Sequence, residues 1–204
     1  MGVKNMRLAM ALLAAFATSV IYAADVSTGL PFSVANNRIL ADYDFNELTN
    51  LSKSVKNCTG LLTNSLACFS GDMLRIPTNS IGVIQISTSS NRGFLRYNGD
   101  VAASDTLFVL ACKRPSSLKS LKLSIDRIAP GGITNNLQIA ELSTDFKWFE
   151  VHLDKANGQG TLIFQPCHSK GNSIIYTNGS NRVLLIDRIV FTRKRTHGFY
   201  ITIH

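Results

Sequence analysis

The chain has 204 residues, with 21 Lys and Arg against 13 Asp and Glu and a formal net charge of +8. That length suits one domain with a sizeable core or two small ones, and beyond the first residues no stretch could cross a bilayer as a helix. The positive balance either favours anionic ligands at a basic surface or serves solubility alone, and no nucleic-acid partner is expected.

In chain order, Lys4 and Arg7 form a basic n-region, Leu8 to Ile21 an apolar h-region, and Tyr22-Ala23-Ala24 a cleavage neighbourhood. This is the pattern of a signal peptide over residues 1–23. A membrane anchor is the competing reading, but the run is broken by Thr18 and Ser19 and is short for a span of roughly 20 residues. Cleavage would remove Lys4 and Arg7 and leave a secreted, extracellular or luminal chain of charge +6, with no membrane span. Residues 24–37 are polar and punctuated, a lead-in segment to a domain expected over 38–192.

Arg38 to Phe45 reads as a first strand. Asn46 to Ser70 is irregular and rich in Asn, Ser, Thr and Lys, and a loop of that length calls for a staple. Four cysteines remain after the leader: Cys58, Cys68, Cys112 and Cys167. An even number in an exported chain argues for two disulfides, with three connectivities open. Cys58–Cys68 would close the polar loop, and Cys112–Cys167 would tie two strand ends. No Cys/His spacing suits zinc. Asn50, Asn57 and Asn178 stand in N-x-[ST] sequons, acceptors for surface glycans in an exported eukaryotic chain.

From Asp72 the strand signals recur: Met73 to Ile76, Gly82 to Ser87, Gly93 to Tyr97 and Thr106 to Cys112. Leu118 to Ile128 alternates, with Leu121, Leu123 and Ile125 on one face and Lys122, Ser124 and Asp126 on the other. Pro130-Gly131-Gly132 ends it by turn chemistry. Leu137 to Leu142, Phe146 to Leu153 and Thr161 to Gln165 follow. The run Arg182 to Thr192 is apolar on both faces, as a strand covered on both sides requires. Strands at regular spacing with no helical period and no βαβ alternation define an all-β fold, a single-domain sandwich or barrel. The tetrapeptide Ile125-Asp126-Arg127-Ile128 recurs as Ile186-Asp187-Arg188-Ile189, read as two strands sharing one buried-edge chemistry. Residues 193–204 hold a basic triplet, Arg193-Lys194-Arg195, and the segment Gly198 to His204. The triplet reads as a solvated turn before a terminal edge strand, or else as a processing site or an anionic-ligand patch.

Phe146-Lys147-Trp148-Phe149-Glu150-Val151-His152-Leu153, then Gly160 to Phe164, then Leu184 to Phe191, resembles the end of galactose-binding-like jelly rolls. That superfamily includes carbohydrate-binding modules and adhesin-type domains. The resemblance implies a jelly-roll β-sandwich that binds a glycan or cell-surface glycoconjugate, and a structural calcium between first and last strands. Alternation places Trp148, Glu150 and His152 on one face, an aromatic platform with polar neighbours apt for a sugar. Asp42, Asp44 and Asp187 are the carboxylates for a calcium ion, with an Asp–Arg ion pair as the competing use. Catalytic motifs such as G-x-S-x-G, H-E-x-x-H or a P-loop are missing from the sequence, and nothing singles out a carboxylate pair. A structural or protein-interaction role on a sheet face, and a hydrolase on the same scaffold, are the alternatives to glycan binding.

Overall fold

A computed structural model describes residues 30–31, 37–46, 68–77, 82–88, 93–101, 103–129, 131–132, 134–153, 160–170, 173–176 and 182–195. The signal-peptide segment, Cys58, the sequons at Asn50, Asn57 and Asn178, and the terminal segment 198–204 lie outside the described residues. No helix among the described residues is long and apolar enough to cross a membrane.

Among the described residues, twelve strands form two antiparallel sheets. Sheet A holds β3 (Leu74–Arg75), β4 (Ile84–Ser87), β12 (Val183–Lys194), β6 (Thr106–Lys113) and β9 (Lys147–His152) in that order, and β1 (Asn37–Tyr43) joins it by pairing with β12. Sheet B holds β2 (Phe69–Asp72), β5 (Phe94–Tyr97), β10 (Thr161–Lys170), β7 (Leu121–Ile128) and β8 (Thr134–Glu141), with β11 (Ser173–Ile175) paired to β10. From β6 onward the chain passes repeatedly between the sheets, with the pairs β7–β8 and β10–β11 each staying within sheet B. The architecture is an all-β sandwich of jelly-roll type.

Period-2 alternation explains which side of each strand meets the core. Leu121, Leu123 and Ile125 are at most 1% exposed and pack inward, while Lys122, Ser124 and Asp126 face out of sheet B. The same rule sends Leu162 and Phe164 of β10 and Leu95 and Tyr97 of β5 into the core. β12 is the expected strand with two covered sides: Ile189 and Phe191 belong to the core, and Val190 and Thr192 on the other face are also buried. Pairing with β4 and β1 along one edge and β6 along the other places it in the interior of sheet A.

The structure departs from the sequence reading in several places. The expected Met73–Ile76 strand is reduced to β3, Leu74–Arg75, and is preceded by β2, which begins at Phe69 inside the expected loop; between them Met73 takes a left-handed φ of 56° and turns the chain from sheet B into sheet A. Its amide donates to the Asp72 carboxylate and its carbonyl accepts from the Ser87 amide, which satisfies the corner. Arg193 and Lys194 are not a turn: they continue β12, opposite Arg38 and Asn37 of β1. The Cys112–Cys167 disulfide is also overturned. Ala111, beside Cys112, is in the core, and so are Phe164 and Leu162 on the strand of Cys167. The two thiols therefore face away from each other on opposite outer surfaces. Two sheets stacked about 10 Å apart keep them beyond disulfide reach. Both are buried, and burial first of all pushes the thiols up, to about 12 at Cys112 and about 11 at Cys167.

Candidate functional site

Two outer faces offer chemistry. On sheet A, edge strand β9 presents Trp148, Glu150 and His152 in a row, as alternation requires, with Val151 turned into the core. Trp148 is half-buried, and Glu150 and His152 are exposed. Ladder pairing sets Leu110 opposite Trp148, Phe108 opposite Glu150 and Thr106 opposite His152. The row is thus an aromatic and two polar groups beside a buried apolar strip.

The first and last strands do meet, as β1 against β12, but their carboxylates are already taken up. Arg188 donates from Nε and Nη2 to the two oxygens of Asp42, at 2.8 and 2.6 Å. Asp44 accepts from the backbone and side-chain nitrogens of Asn46, at 3.1 and 2.8 Å. Asp187 stands at a bulge in the β12–β6 ladder, between Ile186 and Arg188. No group of three or more His, Cys, Asp or Glu side chains suited to a metal occurs among the described residues. A donor set committed in this way does not fit a calcium ion, which wants six or more oxygens. The ion pair that forms joins Asp42 to Arg188 and leaves Asp187 aside.

Burial, more than the opposing pull of Arg188, raises the pKa of Asp187, and the charge of Asp44 adds to the rise. A carboxyl with a folded-state pKa above its unfolded value contributes its stability in full only below the unfolded value. That contribution is lost as pH rises through the folded value. Asp187→Asn is therefore more stable than the parent at pH 7, and the advantage disappears toward pH 3. Thermal melts of both proteins across that range check this, and a difference independent of pH would contradict it.

The outer face of sheet B holds an arrangement that sequence reasoning did not assemble. Asp126 of β7 is 3% exposed and Ser124 is fully buried, although both face away from the core. Asn136 of β8 donates to Asp126 at 2.6 Å and to Ser124 at 3.0 Å. Gln165 of β10 donates to the second Asp126 oxygen, and Ser124 donates to the first at 3.1 Å. The Tyr176 hydroxyl lies 3.2 Å from Ser124. Register aligns Arg96, Ile163, Asp126 and Asn136 in one line across β5, β10, β7 and β8. Four strands at about 4.8 Å spacing make that line roughly 14 Å long. At its β5 end the Arg96 guanidinium lies 5.2 Å over the Phe94 ring. The outward alternation of Ser124 and Asp126 was legible in the sequence; their amide partners, on two other strands, were not.

No protein-family model matches the chain, and no curated protein does. Among solved structures it is similar to a family 29 carbohydrate-binding module from Piromyces equi, at 14% identity and a TM-score of 0.42, over 68% of this chain and 87% of that one. It is likewise similar to a variant family 29 module complexed with mannohexaose, at 12% identity and a TM-score of 0.46, over 76% of this chain and 92% of that one.

Proposed function

We propose that the protein is an exported, non-catalytic glycan-binding module. The observation that carries this reading is the fixed polar floor of sheet B. Asp126 holds the amide nitrogens of Asn136 and Gln165, so their carbonyl oxygens point away from the carboxylate. Neither oxygen accepts a bond among the described residues, and Asn136 is exposed. Two acceptors held without further ordering suit the hydroxyl donors of a sugar. Ile163, half-buried in the same line, offers apolar contact to ring C–H groups. Asp126 itself carries bonds on both oxygens, an arrangement for orienting neighbours and a poor one for proton transfer. The row Trp148, Glu150 and His152 is the second location for the same function, because it sets a half-buried indole beside two exposed polar groups.

The two locations separate in one experiment. The folded protein is run in affinity electrophoresis against a panel of soluble polysaccharides, with Gln165→Ala, Asn136→Ala and Trp148→Ala beside it. We expect a retained polysaccharide whose affinity falls about tenfold in the Gln165 and Asn136 variants, the size of a lost hydrogen bond or two. Trp148→Ala should bind like the parent. Loss confined to Trp148→Ala would move the site to β9, and no retention by any polysaccharide would end the glycan reading.

A further inference from the structure

The ladder between β1 and β12 ends in concentrated positive charge. Arg38 lies directly opposite Arg193, and Lys194 and Arg195 follow on β12 and just past it. Together the four line an open cleft of about 420 Å³. All four side chains are exposed, and none is in an ion pair among the described residues. Asp105 does reach this end of β12, but its carboxylate accepts from the backbone amide of Lys194, at 3.1 and 2.8 Å. Asp42, on the same strand as Arg38, is held by Arg188.

Like charges directly opposite each other in a ladder destabilise it. Charge that protects a sheet edge accounts for cations on β1 and on the end of β12 that runs past β6, but gives no reason to set two arginines directly opposite each other. An anion between the two guanidinium groups turns that repulsion into attraction. Guanidinium forks match the oxygens of sulfate and phosphate groups two at a time, and lysine adds a compact charge. The volume lies in the range of pockets that take a whole small molecule, so there is room for the group that carries the anion.

We propose that this cleft binds a sulfate- or phosphate-ester group carried on a sugar. The sugar part rests on the glycan reading above, and the oxyanion part does not. The test uses the full chain and calorimetric titration with four probes: inorganic phosphate, a sulfated oligosaccharide, a phosphorylated one, and their unmodified parent sugar. At least one modified sugar should bind about tenfold or more tighter than the parent sugar, and the one that does names the ester. Arg38→Gln with Arg193→Gln should remove that preference. A control that deletes the same charge at exposed Arg114 and Lys119 should change affinity by no more than about twofold. Thermal melts confirm that both double variants fold. Equal losses in both double variants, or equal binding of single-stranded DNA of matched charge, would reduce the effect to net charge and overturn the cleft. Binding of the parent sugar with no gain from either ester would overturn the cleft and leave the glycan reading intact. Phosphate binding that needs Arg38 and Arg193, with no affinity for any sugar, would keep the oxyanion site and remove the glycan reading.

Discussion

Phe191→Ala should lower the stability of the sandwich by about 3–5 kcal/mol, the range for removing a large aromatic from a core that cannot collapse. Phe191 is 1% exposed, and its ring stacks on Tyr97 with centroids 4.6 Å apart. It also meets Tyr43 edge-on at 6.3 Å, and Tyr43 in turn meets Phe69 at 5.0 Å. Phe191 and Tyr43 belong to sheet A, while Tyr97 and Phe69 belong to sheet B. The four rings therefore fasten the two layers to each other, and each well-set aromatic pair adds about 0.5–1.5 kcal/mol beyond area burial. Domains of this size are stable by only about 5–15 kcal/mol, so the loss is a large share of the whole. Urea denaturation should show a lower midpoint with an unchanged slope, because the surface exposed on unfolding hardly differs. Phe191→Leu keeps more of the volume and should lose less. A midpoint unmoved by Phe191→Ala would mean that the rings do not join the layers as described.

The all-β class, the two faces of β7 and β9, and the cover on both sides of β12 were legible because the residue pattern of a strand depends only on its own residues. What depends on neighbours across a ladder was not. The repeated Ile-Asp-Arg-Ile shows the difference. Asp126 is regularly paired with β10 and lies at a register shift against β8, faces out of sheet B and collects amide bonds from both strands. Asp187 stands at a bulge, which releases Arg188 to reach Asp42 on β1. Identical letters thus take opposite roles, since the residues that decide them lie elsewhere in the chain. The same limit hid the polar floor, whose members come from positions 124, 126, 136, 165 and 176. It also misled the cysteine reading: Cys112 and Cys167 stand near strand ends that a disulfide could tie, but the parity of each strand turns the two thiols to opposite outer surfaces. The Trp148 row was found because it needs a single strand. The oxyanion cleft needed the register of β1 on β12, which brings Arg38 to Arg193 across 155 residues of sequence.

Asp126→Ala should cost about 2–4 kcal/mol and, on the proposed glycan reading, remove the affinity together with it. The carboxylate is almost wholly buried and accepts from Ser124, Asn136 and Gln165. Deleting it strands three donors, each worth about 1–3 kcal/mol if left unmet. The total falls short of the sum because exposed Asn136 and half-buried Gln165 can turn toward water. That turning is the functional damage: both carbonyl oxygens lose the orientation that the carboxylate imposed. Asp126→Asn separates the two effects. It preserves volume, but its NH2 group faces donors where an acceptor is needed, so one of the amides must rotate. We expect Asp126→Asn to fold, to melt only a few degrees lower, and still to bind the retained polysaccharide about tenfold or more weakly. Binding at parental strength in a folded Asp126→Asn protein would show that the orientation of Asn136 and Gln165 is irrelevant to the ligand. The polar floor would then be a device of the fold alone, a way for a buried carboxylate to be satisfied on the outside of a sheet.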